Sequence, residues 1–190
     1  MNPKLNAFLN LAGLSLVIAV NALANILPIN GLNTGQISGF YPNYFVPAGF
    51  TFGIWGIIYL LLMGYVICSL LSPLPSFPEQ ARKAIIKTTP FFLVTCLLNA
   101  GWIVAWHYLQ IELSVLIMLL FLSTLIQLFL KTKSMANDLT LIQRFILQTP
   151  FIVYLGWISV ATIANITALL VAYKWTALSI APVYWSAAMI

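Results

Sequence analysis

Charge is what this sequence has least of. Its 190 residues carry eight basic and three acidic side chains, 6% charged in all, and the mean hydropathy is +1.02. A soluble domain uses about 25% charged residues to keep its surface wet. A water-soluble fold is therefore excluded, and an all-α polytopic membrane protein is indicated. Histidine occurs once, and the two cysteines, Cys68 and Cys96, fall inside separate apolar runs. No disulfide is supported, and both cysteines read as buried free thiols. The sequence also lacks a CxxC pair, an HExxH motif, a phosphate-binding loop and any run of basic residues. Its net charge of +5 sits at the edges of apolar runs, so no nucleic-acid partner is expected; the partner is the lipid bilayer.

What is present is length in the apolar runs. Six can be marked, at 5–27, 48–71, 88–106, 111–130, 145–172 and 175–190. About 20 residues of helix cross the hydrocarbon layer, and lipid offers no partner to an unpaired backbone. The first five runs are expected to be spanning helices of one membrane unit over residues 1–174. The sixth is short, contains Pro182 and reads as an incomplete helix of a chain continuing past Ile190. The start, Lys4 followed by an apolar run to Ala22-Leu23-Ala24, has the look of a signal peptide. Its run is longer than the ~7–15 residues such peptides use, so it is read as a span.

Basic residues orient the chain. With the N-terminus cytoplasmic, the inner side holds Lys4, Arg82, Lys83, Lys87, Lys131, Lys133 and Arg144, and the outer side only Lys174. The uncharged linker 28–46, rich in turn formers, then lies outside as a lid. On this topology Asn21, Trp55, Asn99 and Asn165 all lie roughly 10 Å below the outer surface at ~1.5 Å rise per residue. Trp102 stands one turn from Asn99, and Tyr59 one turn from Trp55 on the same helix face. Intramembrane polar groups need a partner or a cavity. Two uses fit: amide side chains that glue helices together, or a polar rim around a cavity walled by Phe52, Trp55, Trp102 and Trp157. The set favours the cavity, because these tryptophans are set inward from the helix ends. Trp106, Tyr108, Tyr173 and Trp175 are assigned to the interfacial belt instead, with His107 beside them. Gly49, Gly53 and Gly56, with Gly101, Gly156, Ala161, Ala164 and Ala168, either bring helices close or leave room for a flat ligand.

Three stretches carry a resemblance. The second run, FTFGIWGIIYLLLMGY, resembles the second-helix signature of the TspO/translocator protein family, the tryptophan-rich sensory proteins, at Pro47, Trp55, Tyr59, Met63 and Gly64. The third, TCLLNAGWIVAW, is similar to its Leu-x-Leu-Asn-x-x-Trp pattern at Asn99 and Trp102. The fifth is similar to its Pro-Tyr-Leu-x-Trp and Ala-Thr-x-x-Asn pattern at Pro150, Trp157, Ala161, Thr162 and Asn165. The likeness covers about residues 5–172, and departs at Gly49 or Phe50, where the family has Trp, and at Gly53, where it has Pro. It implies a five-helix bundle, with the sixth run having no counterpart. It implies homodimers, a place in a bacterial cell membrane, and binding of porphyrin or haem-like tetrapyrroles, or sterols in eukaryotes, for sensing or transport. No cofactor is required. The ligand-binding residues this points to are Asn21, Phe52, Trp55, Tyr59, Asn99, Trp102, Trp157, Ala161 and Asn165. The alternatives are a porphyrin-degrading enzyme, for which no general base, nucleophile or metal ligand stands in the layer, and a structural protein without a ligand. The stretch Val171-Ala172-Tyr173-Lys174 lacks the spacer of a sterol motif.

Overall fold

The computed structural model describes residues 2–26, 29–43, 45 and 49–175. Five long apolar helices dominate it: α1 (Pro3–Asn25), α3 (Ile54–Leu71), α4 (Glu79–His107), α5 (Ile111–Ser134) and α6 (Leu141–Ala172). A one-turn helix, α2 (Thr34–Ser38), lies in the long linker, and a 3-10 turn over Gly49–Gly53 leads into α3. All five long helices have the length and apolar composition to cross a membrane. The sixth run expected from sequence falls on residues 176–190, outside the described residues, apart from exposed Trp175.

The helices begin where the local chemistry allows. Asn2 caps α1 by accepting from the Lys4 amide, with Pro3 in the first turn, where its missing N–H costs nothing. Thr140 and Gln143 close a reciprocal capping box at the start of α6. α4 starts at Glu79, nine residues before the apolar run that announces it. That first stretch is charged and amphipathic, so hydropathy misses it. Arg82 holds it down, donating to the carbonyls of Ser72 (2.8 Å) and Leu74 (2.8 Å) and to the Glu79 carboxylate (2.8 Å).

The long helices close a ring in the order α1, α3, α6, α5, α4 and back to α1. The core is a column of large side chains, among them Tyr65, Phe92, Phe121, Phe151 and Tyr154. Tyr65 packs on Phe92 (5.2 Å) and Phe151 (5.0 Å), and Phe121 on Tyr154 (5.2 Å), with tilted or edge-on rings, the arrangement aromatic quadrupoles favour. Cys96 is buried in this core and Cys68 half-buried; both are free thiols.

Small residues do not all serve one purpose. A Cβ at Gly13 would sit 3.2 Å from Cys96 Sγ and 3.2 Å from Leu93 Cδ2, so α1 meets α4 there without room to spare. At Gly53, Gly56 and Gly156 a Cβ would meet nothing within 4 Å. Gly53 thus leaves room, whereas Gly13 in α1 brings two helices close. A Gly13→Ala variant is expected to lose about 1 kcal/mol or more through overpacking, and Cys96→Ala in the same chain should restore part of it. Gly156→Ala, in an open helical position, should be neutral or stabilising by up to about 1 kcal/mol. Thermal unfolding in detergent reads both; equal losses at the two sites would contradict this assignment.

Candidate functional site

The site is built at the end of the bundle opposite the N-terminus, where α2 covers the helices. Asn33 and Gln36 cap α2 reciprocally, and its Ile37 is fully buried. Asn30 and Gly31, both in left-handed backbone conformation (φ 59° and 77°), turn the linker over α4. Asn30 Nδ2 donates to the His107 carbonyl (3.1 Å), and Trp106 Nε1 donates to the Thr34 carbonyl (3.3 Å). Tyr41 rests on the Trp106 ring at 6.0 Å. Burial raises the Tyr41 hydroxyl above its usual pKa of 10.0, and the charge of Glu112 adds to this.

Under α2 lies an aromatic cavity. Phe52, Trp55, Trp102, Trp106 and Trp157 wall it, Thr34 and Ser38 roof it, and Ala161, Ala164 and Asn165 form its α6 side. It leaves about 40 Å³ of room. Beside it, between α1 and α3, runs a groove of about 310 Å³, lined among others by Ile18, Asn21, Asn25 and Tyr59. The two spaces share Thr34, Phe52 and Trp55. Trp55 is the partition. Its ring stacks on Tyr59 (5.7 Å, 26°) and meets Tyr154 (5.8 Å, 81°) and Trp157 (6.0 Å, 82°) edge-on. Phe52 meets Trp157 edge-on at 6.1 Å.

Of the nine residues expected from sequence, Phe52, Trp55, Trp102, Trp157, Ala161 and Asn165 line the cavity, and Asn21 and Tyr59 line the groove. Asn99 lines neither. It accepts from Asn21 Nδ2 (2.9 Å) and donates to the Tyr154 hydroxyl (2.8 Å), tying α1, α4 and α6 together. Asn165 is likewise occupied at both ends, accepting from Trp102 Nε1 (2.9 Å) and donating to Ser114 Oγ (2.9 Å). The amide groups of Asn99 and Asn165 thus serve the helix-gluing use. The buried polar atoms left unpaired at this end of the bundle are others: the Tyr59 hydroxyl, Trp157 Nε1 and His107 Nε2.

Two belt assignments are corrected. Trp106 is only 5% exposed and stacks on Trp102 (5.7 Å, 19°), as a cavity wall. Its position four residues after Trp102, on the same helix face, was the signal. His107 is fully buried, its Nδ1 2.9 Å from the Ile103 carbonyl, because the linker folds back over the end of α4. Tyr108, Tyr173 and Trp175 are exposed, as belt residues are. Among the described residues no group of His, Cys, Asp or Glu forms a metal-holding cluster. The arrangement offers π-faces, an N–H donor and a hydroxyl, which is the equipment of binding.

Five long apolar helices closed into a ring, with an aromatic cavity capped by a linker helix, define an integral membrane protein. The family model described as TSPO-like protein matches residues 7–190, nearly the whole chain. The chain belongs to that family, and the match runs past residues 5–172, taking in the sixth apolar run that was given no counterpart. No curated protein and no solved structure matches it.

Proposed function

We propose that this protein binds a flat, largely apolar small molecule of the tetrapyrrole class in the aromatic cavity, as a sensor or carrier in the membrane. The observation that carries the reading is an aromatic enclosure with two buried, unpaired polar groups, Trp157 Nε1 on a residue of its wall and the Tyr59 hydroxyl on a residue of the adjoining groove. Apolar walls with a few convergent polar groups are what small-molecule sites consist of. The ring faces supply stacking, and the Trp157 N–H supplies a donor to a carbonyl or carboxylate oxygen on the ligand.

The cavity's 40 Å³ of room is too small for a tetrapyrrole, since drug-sized ligands need about 300 Å³ or more. The adjoining groove, of about 310 Å³, supplies the missing space once Trp55 and Phe52, which line both, swing aside. Binding therefore proceeds by joining the two spaces, with Trp55 and Phe52 moving onto the ligand. In the orientation set by the basic residues, the ligand is taken up from the outer leaflet side, with α2 as its cover.

Protoporphyrin titrated into the protein in lipid nanodiscs, read by quenching of tryptophan fluorescence, tests this. Saturable binding is expected at about one ligand per chain. Trp157→Phe keeps a ring in place but removes the N–H, and should weaken binding about fivefold, one hydrogen bond of about 1 kcal/mol. A porphyrin lacking carboxylates should bind both proteins equally. Absence of saturable quenching would overturn the reading and favour a structural role.

A further inference from the structure

The opposite end of the bundle, around the N-terminus, contains a second polar cluster that the aromatic site does not use. Asn6 and Asn10 stand one turn apart on α1, and both side chains are fully buried, at 0% exposure. Asn10 Nδ2 donates to Ser69 Oγ on α3 (2.9 Å) and to Thr89 Oγ1 on α4 (3.0 Å). Beside them the Tyr65 hydroxyl pairs with Thr88 Oγ1 (2.9 Å), again joining α3 to α4. Three atoms are left without any partner in the protein: Asn6 Nδ2, Asn6 Oδ1 and Asn10 Oδ1. An unpaired polar group in so dry a place is costly, and buried amides are ordinarily bonded.

We infer that Asn6 and Asn10 form a second, water-sized binding site at the N-terminal end of the bundle, occupied by a bound water molecule. The spacing suits it. Side chains at i and i+4 on a helix lie about 5–6 Å apart at Cβ. One water can donate two hydrogen bonds of about 2.8 Å, one to each amide oxygen. The Asn6 N–H group donates to the same water or to a neighbour of it, giving the two to four partners a buried water needs. Charge favours a neutral occupant. None of the three acidic residues is among the buried side chains, so no carboxylate is available there for a cation. An anion would find no cationic side chain among the buried residues and would face the two unpaired amide oxygens, which repel it. A neutral donor–acceptor of water size is what remains.

The site is separate from the aromatic cavity. Between them α1 and α4 meet closely at Gly13, where a Cβ would sit 3.2 Å from Cys96 Sγ and from Leu93 Cδ2. The water is therefore reached from the N-terminal end of the bundle and is part of how α1 is held to α3 and α4.

Solid-state NMR on the full chain in lipid, with asparagine side chains labelled with nitrogen-15, tests the inference. Polarisation transferred from water should reach the Asn6 amide within milliseconds, and that signal, assigned by its loss in Asn6→Gln, should be as strong as that of exposed Asn25. Asn10→Ala, which retains Asn6 but removes one of the water's two acceptors, should cut the transfer about twofold or more. An Asn6 amide that receives no water polarisation while Asn25 does would overturn the site. So would an Asn6 shift that follows sodium or potassium concentration, which would mean a cation in place of water.

Discussion

A Trp55→Ala variant is expected to bind protoporphyrin at least about 30-fold more weakly than the parent protein, a loss of about 2 kcal/mol or more. Trp55 sits where the cavity and the groove meet, and three aromatic rings touch it: Tyr59, Tyr154 and Trp157. Removing it has two opposed effects. It joins the two spaces without cost, which favours entry of a large ligand. It also takes away one of the four indole faces that wall the cavity and unsupports the Tyr59 and Trp157 rings. Aromatic pairs contribute about 0.5–1.5 kcal/mol each beyond the area they bury, and the space gained is filled by lipid or water when no ligand is present. The second effect therefore prevails. Trp55→Phe, with a smaller ring in the same place, should fall between the two. Equal or tighter binding by Trp55→Ala would show Trp55 to be only a plug.

Asn99→Ala is expected to destabilise the protein by about 2 kcal/mol while leaving ligand affinity of the folded fraction unchanged. Asn99 joins Asn21 on α1 to Tyr154 on α6. Hydrogen bonds between helices in membranes average only about 0.6 kcal/mol, so the two bonds alone give roughly 1.2 kcal/mol. The Tyr154 hydroxyl adds to this, because its ring is buried and Asn99 is its partner; a stranded buried hydroxyl costs about 1–3 kcal/mol. Asn21 is hurt less, since its amide also donates to the Val17 carbonyl at 3.0 Å. In a Tyr154→Phe background the Asn99→Ala loss should therefore shrink by more than half. Thermal unfolding of the four proteins forms a double-mutant cycle. Loss of affinity without loss of stability would reassign Asn99 to the ligand.

These two variants separate what the polar layer does. Asn21, Asn99 and Asn165 do meet partners at one end of the bundle, as their spacing along the runs suggested. Their amides, however, point largely at other side chains. Depth in the membrane follows from counting residues along a helix of fixed rise. Direction around the helix axis depends on which neighbour lies there, and that is a property of the ring order α1, α3, α6, α5, α4. The same limit explains Trp106 and His107. Their place at the end of an apolar run reads as interfacial, and only the return of the linker, with Thr34 and Asn30 bonded to them, encloses them.

The sequence by itself determined that the chain lies in a membrane, that its first five apolar runs form long helices, and where most of their ends fall. The physical cause is one-dimensional: lipid accepts long uncharged helices and little else. Of the nine residues the sequence marked, eight line the cavity or the groove. Only the tertiary structure decided which polar atoms are spent and which are free. Hydrogen bonds between helices far apart in sequence consume Asn99 and Asn165, and leave Tyr59, Trp157, Asn6 and Asn10 with unpaired atoms. A donor is satisfied by what is near it in space, and that proximity is created by packing.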